Sequence, residues 1–198
     1  MSAITQEIYQ AARETAVLTD RSDLGVLYIT GASRLDLINR MSTQKVVGLT
    51  RGQGAATVLT SDIGRIIDRL HLYATTETLY VLTSAGNGAN VQGYLQRFVF
   101  FNDDFHMQNI SDGTFVFGVY GPQARAKLAA AGFPDVGLSL HHWQQLQLDG
   151  ADIYMHRTDP LHGDGYFVLG EAKDREMIWT HLASTGLLAA GPEVYEYL

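Results

Sequence analysis

Hydrophobic and polar residues alternate through much of the first half of the chain, and polar or glycine-containing turns separate the alternating stretches. This alternation predicts antiparallel β-strands over residues 55–59, 65–75 and 78–83. The helix predicted next has the spacing i, i+3, i+4, i+7 at Val91, Tyr94, Leu95 and Phe98. Two strands and an alanine-rich helix follow, over residues 105–110, 114–119 and 122–132. This order of elements predicts a compact α+β unit with an antiparallel sheet.

The segments on either side of this unit also contain strands and helices. A surface helix is predicted over residues 5–17, then a strand over 25–29 and a helix that Ser33 caps. After a linker at 134–140, the pattern predicts three strands and a helix, over residues 143–148, 151–157, 166–169 and 171–185. Another helix begins at residue 192 and stops with the sequence, so we expect the sequence to be a fragment of a longer protein.

The composition and net charge of the chain exclude several functional classes. With 198 residues, 46% hydrophobic and 18% charged, the chain has an ordinary globular composition. Its net charge of −7 argues against general nucleic-acid binding and against binding to anionic membranes. The sequence has no cysteine, which excludes disulfides, thiolate nucleophiles and cysteine-ligated metals within it. The first ten residues do not resemble a secretory signal and no apolar run has the length of a membrane helix, so a cytoplasmic location is expected.

Three patterns that are associated with specific chemistry are incomplete here. Gly86-Asn87-Gly88 lies between a predicted strand and a predicted helix but matches neither dinucleotide- nor phosphate-binding motifs, which favours a simple turn. His141 and His142 are adjacent, and neighbours on a strand point to opposite faces, so no metal site is predicted. The sequence also lacks G-x-S-x-G, so a serine hydrolase is not indicated.

The strand predicted over residues 65–75 has two different faces, because side chains alternate along a strand. One face is apolar apart from an aspartate, and comprises Ile66, Asp68, Leu70 and Leu72. The other face carries a guanidinium, an imidazole and a phenol, and comprises Ile67, Arg69, His71 and Tyr73. A solvated sheet surface is one interpretation of this second face. The alternative is the wall of a pocket for a flat anionic ligand, with Arg69 on a carboxylate and His71 and Tyr73 at the ring.

Five segments carry a more specific signal, namely residues 11–22 (AARETAVLTDRS), 29–32 (ITGA), 64–73 (GRIIDRLHLY), 118–124 (GVYGPQA) and 162–166 (HGDGY). Their order and spacing resemble the folate-binding superfamily that contains the glycine-cleavage T-protein (GcvT, an aminomethyltransferase) and the YgfZ-like proteins. The resemblance extends over nearly the whole chain. It implies tetrahydrofolate or a derivative as the bound cofactor.

The resemblance also implies a domain layout. A discontinuous α+β domain would comprise residues 1–51 and 141–198, and a ferredoxin-like domain would be inserted at 52–140. A C-terminal β-barrel normally follows and is missing from this sequence. The YgfZ-like branch is marked by a later Lys-Gly-Cys-aromatic-x-Gly-Gln-Glu motif, which a sequence without cysteine cannot contain.

Several residues depart from the aminomethyltransferase pattern. That family carries two adjacent aspartates where this chain has Asp68-Arg69, and the resemblance assigns catalysis and folate contact to the second. The fixed positive charge of Arg69 would oppose the positive charge that develops on a folate nitrogen. Tyr73 matches a ligand-facing tyrosine, whereas His71 replaces an aliphatic residue. The polar loop Gly-Tyr-Thr-Gly-Glu-Asp-Gly is reduced at residues 161–165, and Phe167 replaces an acidic residue.

Three functions are compatible with these residues. The first is a YgfZ-like accessory protein that binds tetrahydrofolate through Arg69, His71 and Tyr73 without aminomethyl transfer, in iron–sulfur protein maintenance or RNA modification with an unidentified protein client. The second is a folate-dependent aminomethyl or one-carbon transferase. The third is an interaction module that has lost its ligand. The fold alone does not separate them, because one fold hosts many functions.

Overall fold

In the computed structural model, which describes residues 5–134 and 137–194, five α-helices and eleven β-strands follow one another along the chain. The helices are α1 (Gln6–Glu14), α2 (Arg34–Met41), α3 (Gly88–Gln96), α4 (Ala124–Ala130) and α5 (Arg175–Ala183). The strands are β1 (Val17–Asp20), β2 (Leu24–Thr30), β3 (Gly54–Thr60), β4 (Ile66–Ala74), β5 (Thr78–Ala85), β6 (His106–Asn109), β7 (Thr114–Gly121), β8 (Trp143–Leu148), β9 (Ala151–Thr158), β10 (Asp164–Glu171) and β11 (Leu188–Ala190). None of the helices in the described ranges is long and apolar enough to cross a membrane.

The chain divides into two compact units, each assembled from segments that are distant in sequence. Unit 1 comprises Met1–Ser22, Gly113–Leu140 and Gln144–Leu198, and unit 2 comprises Asp23–Asp112 and His141–Trp143. These boundaries differ from those predicted at 51/52 and 140/141. Strand β2 belongs to unit 2 because it pairs with β5 and β6, and β7 belongs to unit 1 because it pairs with β1 and β10. Residues 23–51, 113–140 and 141–143 therefore lie in the opposite units from those predicted.

The sheet of unit 1 has six strands in the order β11-β1-β7-β10-β9-β8. The pairs β1–β7, β7–β10 and β10–β9 are antiparallel, and the edge pair β1–β11 is parallel. Asp149 and Gly150 connect β8 to β9 with φ angles of 50° and 86°, as a two-residue hairpin turn requires. Helices α4 and α5 contribute to the apolar core on one face of this sheet, where Phe117 and Ile178 are fully buried.

The sheet of unit 2 has five strands in the order β3-β4-β5-β2-β6, and all of its pairs are antiparallel. Helices α2 and α3 pack on one face, where they form an apolar core with alternate residues of β4 and β5. The members of this core include Leu37, Ile38, Val91, Leu95, Leu70, Leu72, Leu79 and Val81. Residues between these positions face the other side of the sheet. The predicted α+β class with antiparallel sheets is confirmed.

Most predicted elements are present, with ends that differ by a few residues. The sequence pattern does not predict β1 and β11, which are short and pair with each other. The helix predicted over residues 5–17 ends at Glu14, because residues 17–20 join the sheet of unit 1. The helix predicted to begin at residue 192 extends into residues 195–198, which lie outside the described residues.

Asp20, at the end of β1, links the stability of unit 1 to pH. Burial raises the pKa of its carboxyl, but hydrogen bonds from Ser22 and the ion pair with Arg175 outweigh burial and lower it. This carboxylate therefore stabilises the fold above the unfolded pKa of about 3.9, and the contribution is lost as pH falls through the lower folded pKa. We expect Asp20→Asn to lower the urea midpoint of unfolding at neutral pH. The difference in midpoint between the variant and the wild type should shrink below about pH 4. A difference that is independent of pH would contradict this account.

Candidate functional site

Strand β4 carries the three residues that the sequence predicts as ligand contacts. Arg69, His71 and Tyr73 occupy alternate positions on the face opposite the helices. Arg69 is exposed and His71 is half-buried, whereas Tyr73 is only 1% exposed. Arg69 Nη1 lies 3.2 Å from His71 Nε2, so the guanidinium and the imidazole meet along the strand. We call these three residues the Arg69 face.

The predicted faces are wrong at the first two residues of β4. The register between β3 and β4 shifts next to Leu59, so that Ile67 has no paired residue on β3. Such a β-bulge inserts one extra residue and reverses the alternation locally. As a result Ile66, predicted on the apolar face, is 74% exposed, and Ile67, predicted beside Arg69, packs against the core under the helices.

A row of tyrosines extends the Arg69 face across three strands. Tyr73 pairs with Tyr80 of β5, and Tyr80 pairs with Tyr28 of β2. Paired residues of neighbouring antiparallel strands share one face of the sheet. The rings of Tyr28 and Tyr80 lie 5.3 Å apart in an edge-on arrangement. The sequence pattern alternates correctly in each strand but does not show that β2 lies beside β5, so it does not identify this row.

Residues 141–143 pack against β3 and β4 within unit 2. The backbone N–H of Trp143 donates to the Gly52 carbonyl at 2.9 Å, and its indole Nε1 donates to the Ala74 carbonyl at 3.0 Å. Gly54 is required beside this segment, since a Cβ there would collide with the carbonyl oxygens of Leu72 and His141. The segment is therefore fixed to the end of β4 by hydrogen bonds and close packing.

His141 is a neighbour of the Arg69 face that the sequence analysis does not identify. Its imidazole lies 6.1 Å from that of His71, in an edge-on arrangement. His141 lies in a turn and has a positive φ of 61°, and His142 lies between this turn and β8. The predicted strand geometry for this pair is therefore wrong, and the alternation argument about their two side chains does not apply.

Asp68 lies on the helix side of β4 and is only 4% exposed. Its carboxylate accepts hydrogen bonds from Ser84 N at 3.1 Å, Ser84 Oγ, Asn87 Nδ2 at 2.9 Å and its neighbour Arg69 N at 2.7 Å. Asn87 directly precedes α3, and a negative charge near a helix N-terminus is stabilised by the helix dipole. Asp68 therefore fixes the loop Gly86-Asn87-Gly88 to the sheet. The hydrogen bond between Asp68 and this loop therefore supports a structural role for the glycine-containing turn.

The reduced loop at residues 161–165 and Phe167 both lie in unit 1. Asp164 accepts a hydrogen bond from Arg157 Nη2 at 2.9 Å, so this carboxylate is engaged by a neighbouring strand. Phe167 is 4% exposed, and its ring lies 6.4 Å from that of Tyr120 in an edge-on arrangement. An aromatic contact thus occupies the position that the resemblance assigns to an acidic residue.

Comparison with known proteins agrees with this fold. Residues 1–193 match the family described as the GCVT N-terminal domain. Aminomethyltransferases from Thermotoga neapolitana and Deinococcus deserti are 24% and 26% identical to the chain, over 91% and 92% of its length. The matches cover 50% and 52% of those two proteins, so the chain spans about half the length of such relatives.

Two solved structures share the fold. The glycine cleavage system aminomethyltransferase T from Bartonella henselae superposes with a TM-score of 0.79 at 20% identity, over 92% of this chain and 49% of that one. A chain of heterotetrameric sarcosine oxidase from Corynebacterium sp. U-96 superposes with a TM-score of 0.55 at 13% identity, over 93% of this chain and 95% of that one. Both support the mixed α+β architecture with antiparallel sheets.

Proposed function

Since the chain belongs to the GCVT N-terminal domain family, we propose that it binds a reduced folate on the Arg69 face and does not transfer an aminomethyl group. The proposal assigns Arg69 to a carboxylate of the folate and His71 to its ring. Tyr73, which the sequence predicts at the ring as well, is only 1% exposed and offers a ligand no accessible surface. The bound form would be tetrahydrofolate or a derivative. In this account the chain is a binding or accessory protein of the YgfZ-like kind, with a protein client in iron–sulfur protein maintenance or RNA modification.

The position of Asp68 is the observation that carries the proposal. It is the only carboxylate on β4, and its oxygens are buried among donors from Ser84, Asn87 and the backbone of Arg69. It therefore cannot reach a ligand on the opposite face without breaking this network. Arg69, in contrast, is exposed on the Arg69 face. A guanidinium stays protonated at every working pH, so it can bind an anion but cannot accept a proton.

The chemistry of the surrounding face supports a flat anionic ligand. Guanidinium groups bind carboxylates with two parallel hydrogen bonds, and this geometry adds both binding energy and directional specificity. The half-buried rings of Tyr28 and Tyr80 lie farther along the same side of the sheet, level with Tyr73, and aromatic rings pack favourably against other rings. A reduced folate combines a ring system with glutamate carboxylates, which matches both features.

A folate-dependent transferase is the second candidate function. It is favoured by the relatives in Thermotoga neapolitana and Deinococcus deserti, which are named aminomethyltransferases. The site chemistry opposes it, because an arginine stands where the resemblance expects the catalytic carboxylate. A third possibility, an interaction module without ligand, predicts that tetrahydrofolate does not bind at all. Direct titration with tetrahydrofolate separates this third possibility from the other two.

We expect no aminomethyltransferase turnover from the protein with its natural residues. The physical reason is that neither Arg69 nor the buried Asp68 can stabilise positive charge on a folate nitrogen. The measurement is aminomethyl transfer to tetrahydrofolate under conditions in which the Thermotoga neapolitana enzyme is active as positive control. Turnover within about tenfold of that enzyme, less than ~1.4 kcal/mol in barrier height, would show that the role given to Arg69 is wrong.

A further inference from the structure

A cleft lies in unit 1, separate in its residues from the Arg69 face. It has a volume of about 310 Å³ and is lined by Asp20, Arg175, Glu176 and Trp179. Asp20 ends β1, and the other three residues belong to the first turns of α5. The indole of Trp179 is half-buried and packs edge-on against Phe117, with ring centroids 5.0 Å apart. The core therefore holds this indole in place at the wall of the cleft.

Hydrogen bonds hold the Asp20–Arg175 ion pair of the cleft in place. Ser22 donates to Asp20 Oδ1 through its backbone N at 3.0 Å and through its Oγ at 2.7 Å, while Arg175 Nη2 donates to Asp20 Oδ2. Arg175 has five N–H donors in all, and about half of its side chain is exposed (50%). Glu176 follows directly on α5 and is exposed. The cleft is thus lined by groups of both charges together with one aromatic ring.

We propose that this cleft binds a free α-amino acid with an apolar side chain. Arg175 would take the carboxylate, Glu176 would take the ammonium, and Trp179 would contact the side chain. The three charged side chains carry a net charge of −1, which disfavours an anion without an ammonium group. A cation without a carboxylate would leave the exposed N–H donors of Arg175 unused. The volume lies at the lower end of the range for small-molecule sites, which suits a ligand of amino-acid size.

Tryptophan fluorescence reports on this cleft directly. The chain has two tryptophans, and Trp143 is buried in unit 2, so Trp143→Phe leaves Trp179 as the single probe. L-leucine should change the emission saturably, with a dissociation constant on the order of 1 mM. L-leucinamide lacks the carboxylate and 4-methylpentanoate lacks the ammonium, so each should bind at least about tenfold more weakly. Calorimetry on the unsubstituted chain should give the same order of affinities and does not depend on the folding of Trp143→Phe.

Substitutions assign the binding to individual residues. Glu176→Gln leaves the Asp20–Arg175 pair intact, and should weaken leucine binding by roughly tenfold while leaving 4-methylpentanoate unchanged. Lys173→Ala is the matched control, since it removes an exposed cation that pairs with Glu171 outside the cleft. It should leave leucine binding unchanged. The proposal is wrong if the fluorescence does not change saturably at leucine concentrations up to about tenfold above the expected dissociation constant. It is also wrong if leucine and both analogues bind with equal affinity, or if Lys173→Ala weakens leucine binding as much as Glu176→Gln does.

Discussion

Asp68→Ala is expected to lower the free energy of unfolding by about 3 kcal/mol, since truncating one member of a buried charged network leaves its partners without hydrogen bonds. Asp68 is only 4% exposed, and it holds Ser84 and Asn87 to β4. Its loss would leave the backbone N–H of Ser84 and the amide of Asn87 facing a cavity. Urea denaturation followed by far-UV circular dichroism measures this effect.

Two further variants distinguish the loss of stability that comes from the hydrogen-bond network from the loss that comes from removing a negative charge. Asp112→Ala removes an exposed aspartate of the same unit, and should change the unfolding free energy by less than about 0.5 kcal/mol. Asp68→Asn keeps the size and one acceptor oxygen, so its effect should lie between the other two. If Asp68→Ala were no more destabilising than Asp112→Ala, Asp68 would not have the structural role given to it, and its exclusion from ligand binding would lose its basis.

The hairpins of unit 2 could be predicted because their determinants are local. Strands β3, β4 and β5 show the period of two, and polar turns of a few residues join them, so neighbouring strands pair in sequence order. The same period correctly placed Arg69, His71 and Tyr73 on one face of β4. In this part of the chain, sequence neighbours are also neighbours in the sheet.

The rest depends on contacts between distant segments, which alternation does not encode. Strand β2 is inserted between β5 and β6, and β7 between β1 and β10, so the unit boundaries differ from those predicted. The bulge at Ile67 could be predicted only if the register between β3 and β4 were known. The partners of Asp68 come from the end of β5 and from the loop before α3. His141 reaches His71 from seventy residues later in the chain. None of these contacts has a periodic signature.

Arg69→Ala should weaken tetrahydrofolate binding by roughly tenfold to a hundredfold. The reason is the loss of charge-assisted hydrogen bonds to a folate carboxylate, which typically contribute ~1.5–3 kcal/mol. Arg69→Lys should restore only part of the affinity, because a single ammonium cannot form the planar two-point contact of a guanidinium. Arg65→Ala is the matched control, since Arg65 is an exposed arginine of the same hairpin that lies in the turn before β4. It should bind tetrahydrofolate like the wild type.

The most direct test of the account is calorimetric titration of tetrahydrofolate into four proteins: the wild type, Arg65→Ala, Arg69→Lys and Arg69→Ala. We expect saturable binding to the wild type and to Arg65→Ala with equal affinity, weaker binding to Arg69→Lys, and the weakest binding to Arg69→Ala. Equal affinity in all four proteins would show that the ligand does not bind at the Arg69 face. No heat from any of them would contradict folate binding itself and would favour an interaction module.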